Sequence, residues 1–363
     1  MISLPRDPLH SLSPETRLLL GCNSTGVLLP TQLCPEIVNW QKLLRSANSY
    51  DLAPLLYLNL KMSVGSDLIP TSVSERLETI YKRSCVEVMN AFVKLEEILS
   101  TFSRAGIPAI VLKGAALTAL VYRRMGLRPM VDIDLLVRKK DLDRAALILS
   151  RLGYFPDESY HSQEWYKDQH HHLAPYIVPD RSLGLELHHH VISPASRLQI
   201  PIDEFWRRAR PTPIASVPAL VLSPEDILIS LCLHGSINCF SRVLRDLVDI
   251  TEVIRLYLEE INWDRLSKQA RTYEVAKSVF YSLWLAERFT GAAVPPHVLQ
   301  RLESALETSR LESGCLKFLI PRAVFPELST IPPWLITGVI AKLMSPDTAR
   351  TISKGGVLTS VGG

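Results

Sequence analysis

The sequence predicts an α+β protein with a small mixed β-sheet core, residues 105–210, between an N-terminal helical region, 1–104, and a C-terminal helical lobe, 211–363. Three observations lead there. Apolar residues recur at helical spacing over the first hundred positions, short β-branched runs alternate with helical ones over roughly 105 to 195, and helical patterning returns after Ser223.

In the first region, "PEIVNWQKLLRSANSYDLAPLLYLNLK" brings Ile37, Trp40, Leu43 and Leu44 round at helical spacing. "SVSERLETIYKRSCVEVMNAFVKLEEILSTFSRAG" does the same with Met89, Phe92, Leu95, Leu99 and Phe102, with Ser72 or Ser74 as N-cap and Gly106 as the closing glycine. "IPAIVLKG" then reads as a strand, "AALTALVYRRMG" as a helix closed by Gly126, and "MVDIDLLV" as a second strand. "KKDLDRAALILSRLGY" reads as a helix ending at Gly153, and "SLGLELHHHVI" as a further strand. The proline-rich "PTPIASVPALVLSP" reads as a connector, after which "SPEDILISLCLHGSI" opens a helix with serine at the cap and proline at the first position. Further helices are expected over "RVLRDLVDITEVIRLYLEE" and "WDRLSKQARTYEVAKSVFYSLWLAERFTG", and a frayed end over "SKGGVLTSVGG".

Bulk properties exclude several classes. With 40 basic and 37 acidic residues in 363, the surplus is too small for nucleic-acid or anionic-membrane binding as a bulk property. Six cysteines, Cys22, Cys34, Cys85, Cys232, Cys239 and Cys315, have neither zinc-ribbon nor disulfide-scaffold spacing, and the start of the chain lacks the basic and apolar stretches of a signal peptide. "PPWLITGVIAKLM" is shorter than the roughly 20 residues a spanning helix needs. A cytoplasmic protein with no membrane partner is expected. There is no G-x-S-x-G elbow, no G-x-G-x-x-G fingerprint and no Walker A loop.

The chemistry concentrates in "MVDIDLLV". Residues two apart on a strand share a face, so Asp132 and Asp134 project together while Ile133, Leu135 and Val137 line the opposite, apolar side. Two adjacent carboxylates repel unless a cation stands between them, and hard oxygen ligands suit Mg2+, with Mn2+ as an alternative. Arg123, Arg124 and Arg128 precede the pair, and Lys113-Gly114 ends the preceding strand where a helix begins, a place suited to an anion. Anion site beside metal site suggests a nucleoside triphosphate with its metal. A two-metal arrangement needs a third acid, and alternation in "LGLELHHHV" puts Glu186 and His188 on the face opposite Leu185 and Leu187.

In the order "GIPAIVLKGAAL", "LRPMVDIDLLV", "DLDRAALILSRLGY" and "LELHHHV", the chain resembles the bacterial uncharacterised nucleotidyltransferase family of the polymerase-beta-like superfamily, over about residues 80 to 255. The resemblance implies a Mg2+-dependent nucleotidyltransferase fold and activity: transfer of a nucleoside monophosphate from a triphosphate, ATP among the choices, to an acceptor hydroxyl or phosphate, with release of pyrophosphate. It implies Asp132, Asp134 and Glu186 as catalytic metal ligands and Lys113 and Gly114 as nucleotide contacts; Arg128, from the basic cluster before the acids, and His188, beside Glu186, are added as nucleotide-binding candidates by position. It departs from the wider superfamily in having Ala115 after Gly114, where Gly or Ser is usual. "LCLHGSINCFSRVLRDLVDI" also resembles a family segment, which would bring His234, Arg245 and Asp246 to the far side of the cleft, with Arg124 a further candidate. The acceptor, whether small molecule, peptide, protein or RNA, has no motif. An inactive nucleotide-binding protein of the same fold and a small-molecule or peptide phosphotransferase stay open as alternatives.

The runs His170–His172 and His188–His190, with His161, raise zinc, because imidazole is a common zinc ligand. No H-E-x-x-H and no H-x-E with P-C-x-x-C accompanies them, so the favoured reading has His188 orienting a ligand or phosphate beside Glu186, with one of His170 to His172 approaching the same cleft.

Overall fold

A computed structural model describes residues 8–21, 38–62, 69–159, 161–178, 183–194, 196, 198, 200–241, 243–306 and 308–344. Ile37, Cys22, Cys34 and the glycine-rich end lie outside the described residues. Helices α1 (Pro14–Gly21), α2 (Trp40–Ser49) and α3 (Ala53–Met62) precede α4 (Thr71–Arg104). At 34 residues, α4 is about 51 Å long. It is the spine of the molecule, because Val73 and Leu77 near its start belong to one apolar core and Val88 to Phe102 belong to another. Its N-cap position is Pro70, without a side-chain cap, so the expected serine caps fall inside its first turn.

The second core lies under a seven-stranded mixed sheet of order β3-β4-β5-β2-β1-β7-β6. The strands are β1 (Ala109–Val111), β2 (Asp132–Val137), β3 (Phe155–Pro156), β4 (Tyr176–Ile177), β5 (Gly184–His188), β6 (Arg210–Ile214) and β7 (Val217–Val221). Ala109, Val111, Ile133, Leu135, Val137, Leu185 and Leu187 all turn to this core, with α4 and α6 (Leu142–Arg151) covering it. Ile110, Leu112 and Leu136 turn the other way, into the larger core shared with the helical lobes. The sheet is therefore buried on both faces, and Asp132 and Asp134 stand on the lobe-facing side, four and two residues before Leu136 on β2.

The stretch expected to be a connector is a β-hairpin completing the sheet. β7 runs parallel to β1, and β6 pairs antiparallel with β7 at the edge, where Pro211 and Pro213 cost no ladder bonds. Its two-residue turn is Ala215-Ser216, with φ of 48° and 64°, a conformation that usually calls for Asn or Gly and so left no signal. The expected helix over "AALTALVYRRMG" is also broken. Helix α5 (Lys113–Leu117) gives way to a π-helical turn, Thr118–Tyr122, closed by Arg123 N–H donating to Thr118 O.

The rest is helical: α7 (Gln163–Gln169), α8 (Ile202–Arg208), α9 (Pro224–Ile237), α10 (Leu244–Tyr257), α11 (Trp263–Thr272), α12 (Ala276–Leu285), α13 (Pro296–Ser304), α14 (Arg310–Val324) and α15 (Pro333–Met344). Ser223 accepts from Asp226 N–H with Pro224 next, the expected cap of α9. Among the described residues no helix is long and apolar enough to cross a membrane.

Gly126 docks the loop before β2 onto α4. Its φ is +83°, Ser84 Oγ donates to its carbonyl at 2.8 Å, and an added Cβ would come within 2.7 Å of the Cys85 nitrogen. Gly106, φ +68°, has nothing within 4 Å. Thermal denaturation should show Gly106→Ala costing about 1 kcal/mol from left-handed backbone alone, and Gly126→Ala costing about 1–3 kcal/mol more because helix backbone cannot yield. Equal melting temperatures for the two variants would contradict this close approach.

Candidate active site

Strands β2 and β5 run in parallel, and their register sets Asp134 opposite Glu186 and Asp132 opposite Gly184. Asp134 is 2% exposed and Glu186 22%. Two features bring a cation to this acidic face. Leu112 N–H donates to Asp134 O at 3.0 Å, pinning the end of β1 beside β2. Lys113 then takes φ +40°, left-handed for a residue with a side chain, and its Nζ reaches Asp134 Oδ1 at 2.7 Å and Glu186 Oε2 at 3.6 Å. His188, buried on the same face of β5, brings Nε2 within 2.9 Å of Asp134 Oδ1 and 3.2 Å of Glu186 Oε2.

The three acids divide unequally over these partners. Burial works against ionising Asp134, yet Lys113 and the His188 hydrogen bond outweigh it and hold the carboxyl below its ordinary value. Burial also opposes ionising half-buried Glu186, yet it is held well below its usual range, by His188 first and then His172 and Lys113. Burial opposes protonation of His188, but hydrogen bonds to both acids raise its pKa. Asp132 has the weakest share: burial and the charges of Asp134 and Glu186 push it up to about 6. This is the imprint of unmatched negative charge.

That imprint tests whether the residues suit a divalent metal. A hard cation favours carboxylate oxygens, and here Asp134 and Glu186 face one another while Asp132, two residues before Asp134 on the same strand, feels both charges. The donor set therefore suits a divalent cation; among the described residues Asp134, Glu186 and His188 each place a ligand atom within 4.8 Å of the others.

The remaining expected residues fall into four groups. Arg128 is committed to structure: Nε and Nη2 both donate to Asp249, buried on α10, at 3.0 and 2.8 Å, and Tyr122 Oη donates to the same carboxylate at 2.7 Å. Its Nη1 passes over Gly114, where a Cβ would meet it at 2.6 Å, so glycine here makes room for an arginine. His234 and Asp246 form a dyad, Nδ1 to Oδ2 at 3.0 Å, in which the Asp246 charge raises the imidazole pKa. Arg245 donates to Asp51 at 3.0 Å and to Pro129 O, tying α10 to the N-terminal helices and to the loop before β2. Exposed Arg124 lies near Tyr81 of α4.

One contributor escaped sequence reasoning. It is Asp249, whose signal was the three-residue spacing from Asp246 in "RDLVDI", which puts both on one helix face. Of the three histidines from which one was expected near the cleft, His172 reaches the acids. Leu173 N–H donates to Leu187 O, and the segment so paired with β5 holds His172 Nε2 3.8 Å from Glu186 Oε1.

Because the folded state raises the Asp132 carboxyl from 3.8 to about 6, the folded chain binds more protons than the unfolded chain between those values. Stability from this group falls as pH rises through that window, and the cost persists above it. Asp132→Asn should therefore match wild type near pH 4 and be more stable by about 1–3 kcal/mol at pH 7, read by metal-free denaturant titration. A variant that loses ground over this interval would refute the charge surplus.

A family model described as an uncharacterised nucleotidyltransferase matches residues 36–291. Neither the curated proteins nor the solved structures give a match.

Proposed function

The chain belongs to the uncharacterised nucleotidyltransferase family, and from that premise we propose that it is a Mg2+-dependent enzyme moving a nucleoside monophosphate from a nucleoside triphosphate to an acceptor hydroxyl or phosphate. The observation that carries this reading is the register of β2 with β5, which sets Asp134 opposite Glu186 beside one lysine, with Asp132 two residues before Asp134 on the same strand. Asp132, Asp134 and Glu186 would hold the metal, whose charge when bound offsets that of the phosphates and favours the deprotonated acceptor.

The acceptor oxygen, a hydroxyl giving up its proton to solvent, attacks the α-phosphorus, a new P–O bond forms as the α–β bridge breaks, and pyrophosphate leaves. The chain's own contribution is to orient and neutralise. Lys113 is placed to exchange its partner: an ammonium between Asp134 and Glu186 needs only rotation of a flexible side chain to meet a phosphate oxygen once another cation balances the acids. His188 keeps hydrogen bonds to both acids and fixes their orientation. Arg128, with Nε and Nη2 taken by Asp249, has Nη1 left for a phosphate beside Gly114.

A second reading is favoured by one observation. Asp134 Oδ1 already accepts from Lys113 and His188, an arrangement compatible with a nucleotide-binding protein that performs no transfer. Incubation with each of four α-labelled triphosphates and Mg2+ separates the two. Labelled product and pyrophosphate are expected from wild type, with Asp134→Asn at least about 1000-fold slower while its circular dichroism is unchanged. Binding of triphosphate without pyrophosphate release would establish the second reading, and undiminished turnover by Asp134→Asn would remove the site assignment.

A further inference from the structure

The three consecutive histidines after α7 form a cluster that the proposed reaction does not use. An extended chain would send His171 away from its neighbours, but bends at His170 and His171 fold the rings together. Ring centroids lie 4.3 Å apart for His170 and His171, 4.1 Å for His170 and His172, and 4.8 Å for His171 and His172. One ring nitrogen from each lies within 4.8 Å of the others. The segment is held there by backbone pairing with β5, Leu173 N–H to Leu187 O at 3.0 Å and His189 N–H to His171 O at 2.9 Å.

What these rings lack is partners. The Nδ1 atoms of His170 and His171 are buried and make no hydrogen bond. A buried polar atom left unpaired carries a penalty, and a hydrophobic side chain would fill the same volume without it. His172 is different: its Nδ1 lies 2.6 Å from Leu173 O, which fixes the proton there and leaves Nε2 with a free lone pair. That is the arrangement of a metal-bound histidine, whose second nitrogen is anchored to a carbonyl.

We propose that His170, His171 and His172 form a second metal site, selective for a borderline transition-metal ion of the Zn2+ or Co2+ type and distinct from the acidic site for Mg2+. Three imidazoles match such ions and suit Mg2+ poorly. Bonds of about 2.0–2.1 Å draw the nitrogens somewhat closer than they now stand, a change within reach of small ring rotations. Sequence reasoning counted the absence of a carboxylate at fixed spacing against zinc. The fold supplies one from another strand, with Glu186 Oε1 3.8 Å from His172 Nε2. A fourth position is thus open to Glu186 or to water, and the two metal sites border one another at that residue.

The test uses untagged full-length protein, freed of metal by a chelator and titrated with Co2+. One equivalent of Co2+ should bind with the intense visible bands of a four-coordinate ion, and Zn2+ should displace it. His170→Ala/His171→Ala should bind at least about 10–100-fold more weakly, and His172→Gln alone should weaken binding if the double variant melts early. Asp132→Asn should bind as wild type does. Two results would overturn the site: histidine variants that bind Co2+ as tightly as wild type, or Co2+ binding lost in Asp132→Asn and kept in the histidine variants.

Discussion

Parallel pairing of β2 with β5 forces Asp134 and Glu186 side by side on a sheet buried on both faces, and the surrounding structure is arranged around that concentration of negative charge. Opposite them on the same strands, Ile133, Leu135, Leu185 and Leu187 are locked in an apolar core, so neither strand can rotate or slip to separate the acids. The charge has to be met where it stands. Lys113 meets part of it at the expense of a left-handed backbone, His188 meets part by taking up a proton more readily, and Asp132 is left with a pKa near 6. A polypeptide that keeps this imbalance is suited to admit a further cation.

A second, buried charge system keeps the cleft walls in place. Asp249 accepts from Arg128 and Tyr122, linking α10 to the π-helical turn and to the loop before β2. Gly114 and Gly126 are the two places where no side chain fits between these parts, the first under the Arg128 guanidinium and the second against α4. Arg128 thus does structural work first, and only its Nη1 remains to meet a ligand. This shifts the weight of phosphate contact toward Lys113.

Much of this was legible in the sequence, for identifiable reasons. Period-two alternation placed Asp132 with Asp134 and Glu186 with His188, because one face of each strand is uniformly apolar. The α+β class followed from the change between helical and strand periodicity, and the cap of α9 from Ser223-Pro224. The β6–β7 hairpin was hidden by three prolines and by a turn of alanine and serine in positive φ, since edge position and tertiary packing tolerate what local preference disfavours. The commitment of Arg128 to Asp249 was equally hidden, because a pair 121 positions apart leaves no local pattern. Helix α5 is only five residues long, so the anion affinity expected from its N-terminus has little dipole behind it and rests on lysine.

The most direct measurement is anomalous diffraction from crystals grown with Mn2+ and a non-hydrolysable nucleoside triphosphate. The account predicts Mn2+ among the carboxylates of Asp132, Asp134 and Glu186, with Lys113 Nζ moved from Asp134 onto a phosphate oxygen. Bound nucleotide with Lys113 still on Asp134, and no anomalous peak at the three acids, would contradict it.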